Sequence, residues 1–150
     1  MSPPPLTPGP SGFAMIIDPA GRFLVQHRDD LPHIWFPGLW GFFGGRAEPD
    51  EAVDAAVRRE VLEEVEVALG ELAYFTRFDV DFGYAGLQVI GRQYFVATVT
   101  RAQLAGATIR EGQAFALLTA DELQSRPMVP FDSLALYFWL NRERIVPDPG

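Results

Sequence analysis

No cysteine occurs anywhere in the chain, which excludes disulfides, thiolate metal centres and cysteine nucleophiles together. Lysine is missing as well, so all twelve basic residues are arginine. Arginine's planar fork suits phosphate, although a genome-wide compositional bias yields the same count. No apolar run can cross a bilayer: the longest, Leu134 to Leu140, has seven residues against roughly 20 needed. No basic and apolar leader is present. The opening MSPPPLTPGPSG holds five prolines and reads as a flexible segment, residues 1–12, rather than a signal peptide. These absences point to a soluble cytoplasmic protein. Positive charge is scarce too, with 12 basic against 20 acidic residues and a net charge of −8. Nucleic-acid duplex is therefore a poor partner, because neutralising its backbone supplies most of the affinity.

What remains is a chain of 150 residues, 48% hydrophobic, enough for one globular domain with a substantial core. That domain is expected over 13–145, with a loose tail at 146–150. The acidic surplus is not spread evenly. Between Arg46 and Glu66 eight acidic residues face three arginines. Within that stretch runs Arg59-Glu60-Val61-Leu62-Glu63-Glu64, and on a helix Glu60, Glu63 and Glu64 fall within an arc of about 100°. Like charges crowded on one face repel, unless a cation sits among them. Hard divalent ions take oxygen ligands and are completed by substrate phosphates. Taken alone, the run reads first as a solvated acidic face.

Along the chain, Phe13–Ile17 and Arg22–Arg28 are two extended runs joined by the turn Asp18-Pro-Ala-Gly21, a hairpin. Arg28 is either a phosphate contact or a strand-end charge, and His27 reads as a packed or surface residue. Residues 29–43 form an aromatic loop containing His33, Trp35 and Trp40, which either caps the core or offers a wall for a stacked base. Gly44-Gly45 allow close backbone approach. Asp50 is expected to cap a helix opening at Glu51 and running to residue 65. There Val53, Val57 and Val61 make a core-facing stripe, and Arg59 is placed to brace Glu51. Two long strands follow, Leu72–Phe82 and Leu87–Thr100, around a turn at 83–86; no proline interrupts residues 50–126. Leu72, Tyr74, Thr76, Phe78, Val80 and Phe82 should face one way and Arg77, Asp79 and Asp81 the other. Short strands at 108–111 and 114–118, a helix capped by Thr119 and Glu122, and a well-buried helix over 131–144 complete the reading. Strands alternate with helices, giving a mixed sheet flanked by helices in one α/β domain.

The stretch Gly45–Val67 resembles the signature of the Nudix hydrolases, G-x5-E-x7-R-E-U-x-E-E-x-G-U with U aliphatic. Gly45, Glu51, Arg59, Glu60, Val61, Glu63, Glu64 and Val67 match, eight of the nine fixed positions. Glu66 stands where the final glycine is expected. Trp40-Gly-Phe-Phe-Gly-Gly45 and Glu48 also resemble the family's approach to the box, with Phe43 where a proline is common. The resemblance implies an α/β/α sandwich that hydrolyses a nucleoside diphosphate linked to another moiety. It implies Mg²⁺ or Mn²⁺ on Glu60, Glu63, Glu64 and the Gly44 carbonyl, supported by Glu51, Arg59 and Glu48. The proton acceptor for the attacking water would be Glu60 or the later Glu111. A nucleotide sugar, a modified nucleoside triphosphate and a dinucleoside polyphosphate all remain open as substrates. Tyr84, 17 residues past the box, points weakly to the last of these, and Arg28, Trp35 and Trp40 are further candidate substrate contacts. The small phosphorylated substrate is the expected partner, with a homodimer possible and no membrane. The alternative is a regulatory module that binds a nucleotide without cleaving it. An isomerase on the same fold is disfavoured, since its common form needs a cysteine.

Overall fold

The computed structural model describes residues 10–32, 34, 36–86, 89–107 and 114–145. Strand β1, Ser11–Ile17, begins two residues ahead of the expected domain start. Its side chains alternate between two cores. Phe13 and Met15 enter one, Ala14 and Ile16 the other. A strand covered on both faces has to be continuously apolar, which is why the run lacks polar alternation. Strand β2, Phe23–His27, pairs antiparallel with it and repeats the pattern, Phe23 and Val25 opposite Leu24. The turn between them is locked by Asp18, which accepts from the Ala20 and Arg22 amides and pairs with the Arg22 guanidinium at 2.7 Å.

Strands β3, Trp40–Gly41, and β4, Phe43–Arg46, follow the aromatic loop, pairing with β2 and β1 respectively. Helix α1 then runs from Val53 to Val65. It starts later than expected, and Asp50 does not cap it: the N-cap is Ala52, with no side-chain bond. The reason is local. Residues 48–51 close a turn of their own, in which the Glu51 amide bonds back to the Glu48 and Pro49 carbonyls. Of the expected stripe Val57 and Val61 are buried and Val53 partly so, and Val65 continues it, all packed with Ile16, Leu24 and Phe43.

Strand β5, Ala73–Asp81, pairs antiparallel with β6, Val89–Thr98, across a 3-10 turn at Gly83–Ala85. The expected alternation holds from Thr76 onward and fails before it. The register shifts between Tyr74 and Thr76, a bulge that turns the chain. Phe75 therefore packs on Trp139 and the first core, while Tyr74 lies exposed against Phe95. On the other side, Arg77, Asp79 and Asp81 are exposed as a solvated row. Strand β6 runs parallel to β1 along its length, which makes the sheet mixed.

Helix α2, Arg101–Ala105, was not anticipated; Thr100 ends the strand and caps the helix through a reciprocal bond pair with Gln103. Strand β7, Ala114–Leu118, pairs with β2; the expected strand at 108–111 lies outside the described residues. Helix α3, Ala120–Gln124, carries the Thr119–Glu122 capping box. Helix α4, Pro130–Leu140, is shorter and more exposed than its composition suggests. Only Asp132, Ala135 and Leu136 are buried, while Leu134, Tyr137 and Leu140 face solvent.

One path through the sheet reads β3-β2-β1-β6-β5, with β4 on β1 and β7 on β2. Helix α1 covers one face and α3 with α4 the other. The result is the expected three-layer α/β/α arrangement.

Candidate active site

The site grows from the junction of β4 and α1. Gly44 must be glycine, because a Cβ there would lie 2.0 Å from the Gly12 carbonyl oxygen on the paired strand. Gly45 has a different reason: its absent Cβ leaves room for the Glu60 carboxyl, which would otherwise sit at 3.0 Å. A side chain at 45 would therefore have to displace the Glu60 carboxyl by a few tenths of an ångström.

Arg59 organises the near edge. Its Nε and Nη2 donate to the two oxygens of Glu51 at 2.8 and 2.9 Å, and Nη1 donates to Glu60 Oε1 at 3.0 Å. Glu63 stands farther off, 3.6 Å from Nη1 and 54% exposed. The Arg59 hydrogen bonds hold Glu51 down to about 2, well below the usual carboxylate range, and the carboxylates in turn raise Arg59. Because Glu51 precedes the helix, the brace ties the entry turn to the body of α1. Glu48 contributes through its backbone, whose amide donates to Glu51 Oε1 at 3.1 Å. An open hollow of about 470 Å³ borders this edge, lined by Pro10, Arg46, Glu48, Glu51, Arg59 and Glu60.

Glu64 is the anomaly of the site. Among the described residues its Oε2 is shut off from solvent without a hydrogen-bond donor other than a proton shared with Glu60. Burial first, and then the neighbouring Glu60, push its carboxyl up to about 7. A buried carboxylate oxygen without a partner costs free energy, and native proteins rarely leave one so. A divalent cation would supply the missing partner and remove the repulsion with Glu60, so the donor set fits a hard ion. Glu60 and Glu64 are the pair brought together, with Glu63 on the outer flank. Among the described residues, no three acidic or histidine side chains already converge as a finished cage.

The candidate substrate contacts scatter. Arg28 is half-buried at the end of β2, within electrostatic reach of Glu64, Asp132 and Arg92. His27 stacks on Trp40 at 4.7 Å and 3°, and the Arg126 guanidinium lies 4.9 Å from its ring. Tyr84 projects 87% exposed from the β5–β6 turn, its ring beside that of Phe82. His33, Trp35 and Glu111 lie outside the described residues.

One cluster escaped the sequence reading. Asp132, in the first turn of α4, is 1% exposed. It accepts from the Phe42 amide at 2.9 Å, Arg92 at 3.1 Å and Tyr94 at 2.5 Å. The Arg92 guanidinium lies 3.8 Å over the Phe13 ring and 5.2 Å from that of Phe131. Burial pulls Arg92 down, and Asp132 with Tyr94 more than restores it; burial and Asp132 together raise Tyr94. The signal was an acidic residue opening an otherwise apolar helix and an arginine in mid-strand, 40 residues apart.

Comparison with known proteins adds three findings. The NUDIX domain model matches residues 7–148. No curated protein matches the chain by sequence. Among solved structures, the chain is similar to a MutT NUDIX hydrolase from Burkholderia pseudomallei, at TM-score 0.70 and 24% identity over 88% of this chain and 98% of that one. It is similar also to the E. coli dihydroneopterin triphosphate pyrophosphohydrolase, at TM-score 0.67 and 20% identity over 91% and 99%. The NUDIX domain of Shewanella oneidensis NrtR, complexed with ADP ribose, aligns at TM-score 0.66 and 16% identity over 94% and 90%. At such identities these likenesses establish the shared fold.

Proposed function

The chain belongs to the NUDIX domain family, and from that premise we propose that it is a divalent-metal-dependent pyrophosphohydrolase. Its substrate class would be a nucleoside diphosphate linked to another moiety. The observation that carries the reading is Glu64. A buried carboxylate oxygen beside Glu60 with no basic donor among the described residues, on a helix anchored by three buried valines, is a costly arrangement in a protein that binds no cation. Glu60, Glu63 and Glu64 would hold Mg²⁺ or Mn²⁺, with the Gly44 carbonyl as a further ligand. When bound, the ion offsets the charge of the diphosphate and acidifies water at the site.

The remaining chemistry belongs to the chain. Water attacks one phosphorus, the phosphoanhydride bond breaks, and the bridging oxygen leaves on the second phosphate. The water's proton passes to a carboxylate, Glu60 or Glu111. Arg59 keeps the Glu60 carboxyl oriented by its 3.0 Å bond while anchored on Glu51, which is how a supporting residue tunes a ligand. A phosphate-release screen of nucleoside diphosphate derivatives with Mg²⁺ and Mn²⁺ tests the proposal. At least one class should be turned over, and Glu63→Gln or Glu64→Gln should lower that rate by orders of magnitude in a folded protein. Wild-type rates in both variants would remove the metal assignment, and inactivity across the panel would favour the non-catalytic module.

A further inference from the structure

The helix that carries the carboxylates ends in a conformation its own residue does not favour. Glu66, the C-cap of α1, has φ 58° and ψ 34°, and its amide closes the last turn on the Leu62 carbonyl at 3.1 Å. Left-handed backbone is disfavoured for any residue with a Cβ, which is why helices so often end in glycine there. The strain is relieved if residues 63–66 unwind, and those residues include Glu63 and Glu64. Two side chains oppose that. Arg58 Nη1 donates to the Leu69 carbonyl at 2.6 Å and also to the Gly70 carbonyl. Gln103, fixed in its capping box with Thr100, donates to the Ala68 carbonyl at 2.8 Å. Arg58 sits mid-helix, so its guanidinium fastens the exit segment to the rigid part of α1. Among the described residues it bonds no carboxylate.

We propose that Arg58 is a positioning residue for the cation site: its hold on the Leu69 and Gly70 carbonyls offsets the strain at Glu66 and keeps the turn bearing Glu63 and Glu64 wound. The proposal rests on the metal reading above for its consequence and on the helix exit for its cause. The test uses Mn²⁺ alone with the full chain, reading its uptake by electron paramagnetic resonance, and amide hydrogen exchange in the metal-free protein. Arg58→Met, which keeps length and loses the donors, should weaken Mn²⁺ uptake about fivefold, the equivalent of one net hydrogen bond. It should speed exchange at residues 63–66 while Val57 and Val61 keep their protection. Removing a positive charge would by itself strengthen cation uptake, so a weakening reports the lost clasp. Glu66→Gly in the same background should restore both readouts, and Arg58→Lys should restore part of them. Unchanged exchange in Arg58→Met, or a loss that Glu66→Gly fails to rescue, overturns the proposal. Wild-type protein that takes up no Mn²⁺ removes the metal reading instead, and the exchange comparison then judges the clasp alone.

Discussion

Substituting glutamine for Glu64 should make the metal-free protein more stable while abolishing cation uptake. Burial and Glu60 raise the Glu64 carboxyl from an ordinary 4.5 to about 7, so the folded chain binds that proton more tightly than the unfolded chain. Stability therefore falls as pH rises between those two values and stays at the lower level above them. At about 1.4 kcal/mol per unit the full penalty approaches about 3 kcal/mol. Partial contact with solvent reduces it to about 2 kcal/mol. Glu64→Gln keeps the shape and never carries the charge. In EDTA at pH 8 the variant should melt roughly 4–8 °C above wild type, at about 2–4 °C per kcal/mol for a chain of this size. At pH 5 the gap should shrink to about a third or less, because wild-type Glu64 is then mostly protonated. Added Mn²⁺ should reverse the order, raising wild type by mass action and leaving the variant where it was. Calorimetric scans at both pH values, with and without Mn²⁺, decide the matter. Equal melting temperatures at pH 8, or the same gap at both pH values, would refute the claim that a buried carboxylate is the source.

Three further outcomes follow from the geometry. Asp132→Ala strands the Arg92 guanidinium and the Tyr94 hydroxyl in the first core, and should cost about 3–5 kcal/mol in urea unfolding; a loss under 1 kcal/mol would mean that water relieves the network. Gly45→Ala places a Cβ 3.0 Å from the Glu60 carboxyl carbon, so turnover should fall at least about tenfold, worth about 1.4 kcal/mol at the transition state, with little change in melting temperature. Glu66→Gly removes the left-handed strain of roughly 1–2 kcal/mol against the looser unfolded chain that glycine brings. The melting temperature should rise by about 1–4 °C, and a fall would show that the clasp on the exit already absorbs the strain.

Local rules made much of this protein legible before any coordinates. The box reads directly because its chemistry is written at helical spacing: Glu60 and Glu64 are one turn apart, and the stripe of Val53, Val57 and Val61 lies beside them. The doubly covered strands declare themselves through continuous apolar runs, and the Thr119–Glu122 cap through its spacing. Where the reading slipped, a competing local bond or a neighbour from elsewhere decided. Asp50 lost its capping role to a turn that Glu48 and Glu51 close with each other. The alternation of β5 broke at a bulge, which nothing in a string of residues marks. Helix α4, apolar almost throughout, has half its surface in water because only one layer of the fold lies beneath it.

The sequence by itself determined the platform, since a helix repeat and a run of carboxylates are properties of neighbours in the chain. It also determined that glycine stands at 44 and 45, though not why. Only the tertiary structure decided what those features meet. It set β4 against β1 so tightly that Gly44 admits no side chain, it brought the Glu60 carboxyl of α1 over Gly45, and it joined Asp132 to Arg92 across 40 residues. It also closed one oxygen of Glu64 off from water, because burial and electrostatic neighbourhood are sums over the whole fold rather than over adjacent residues.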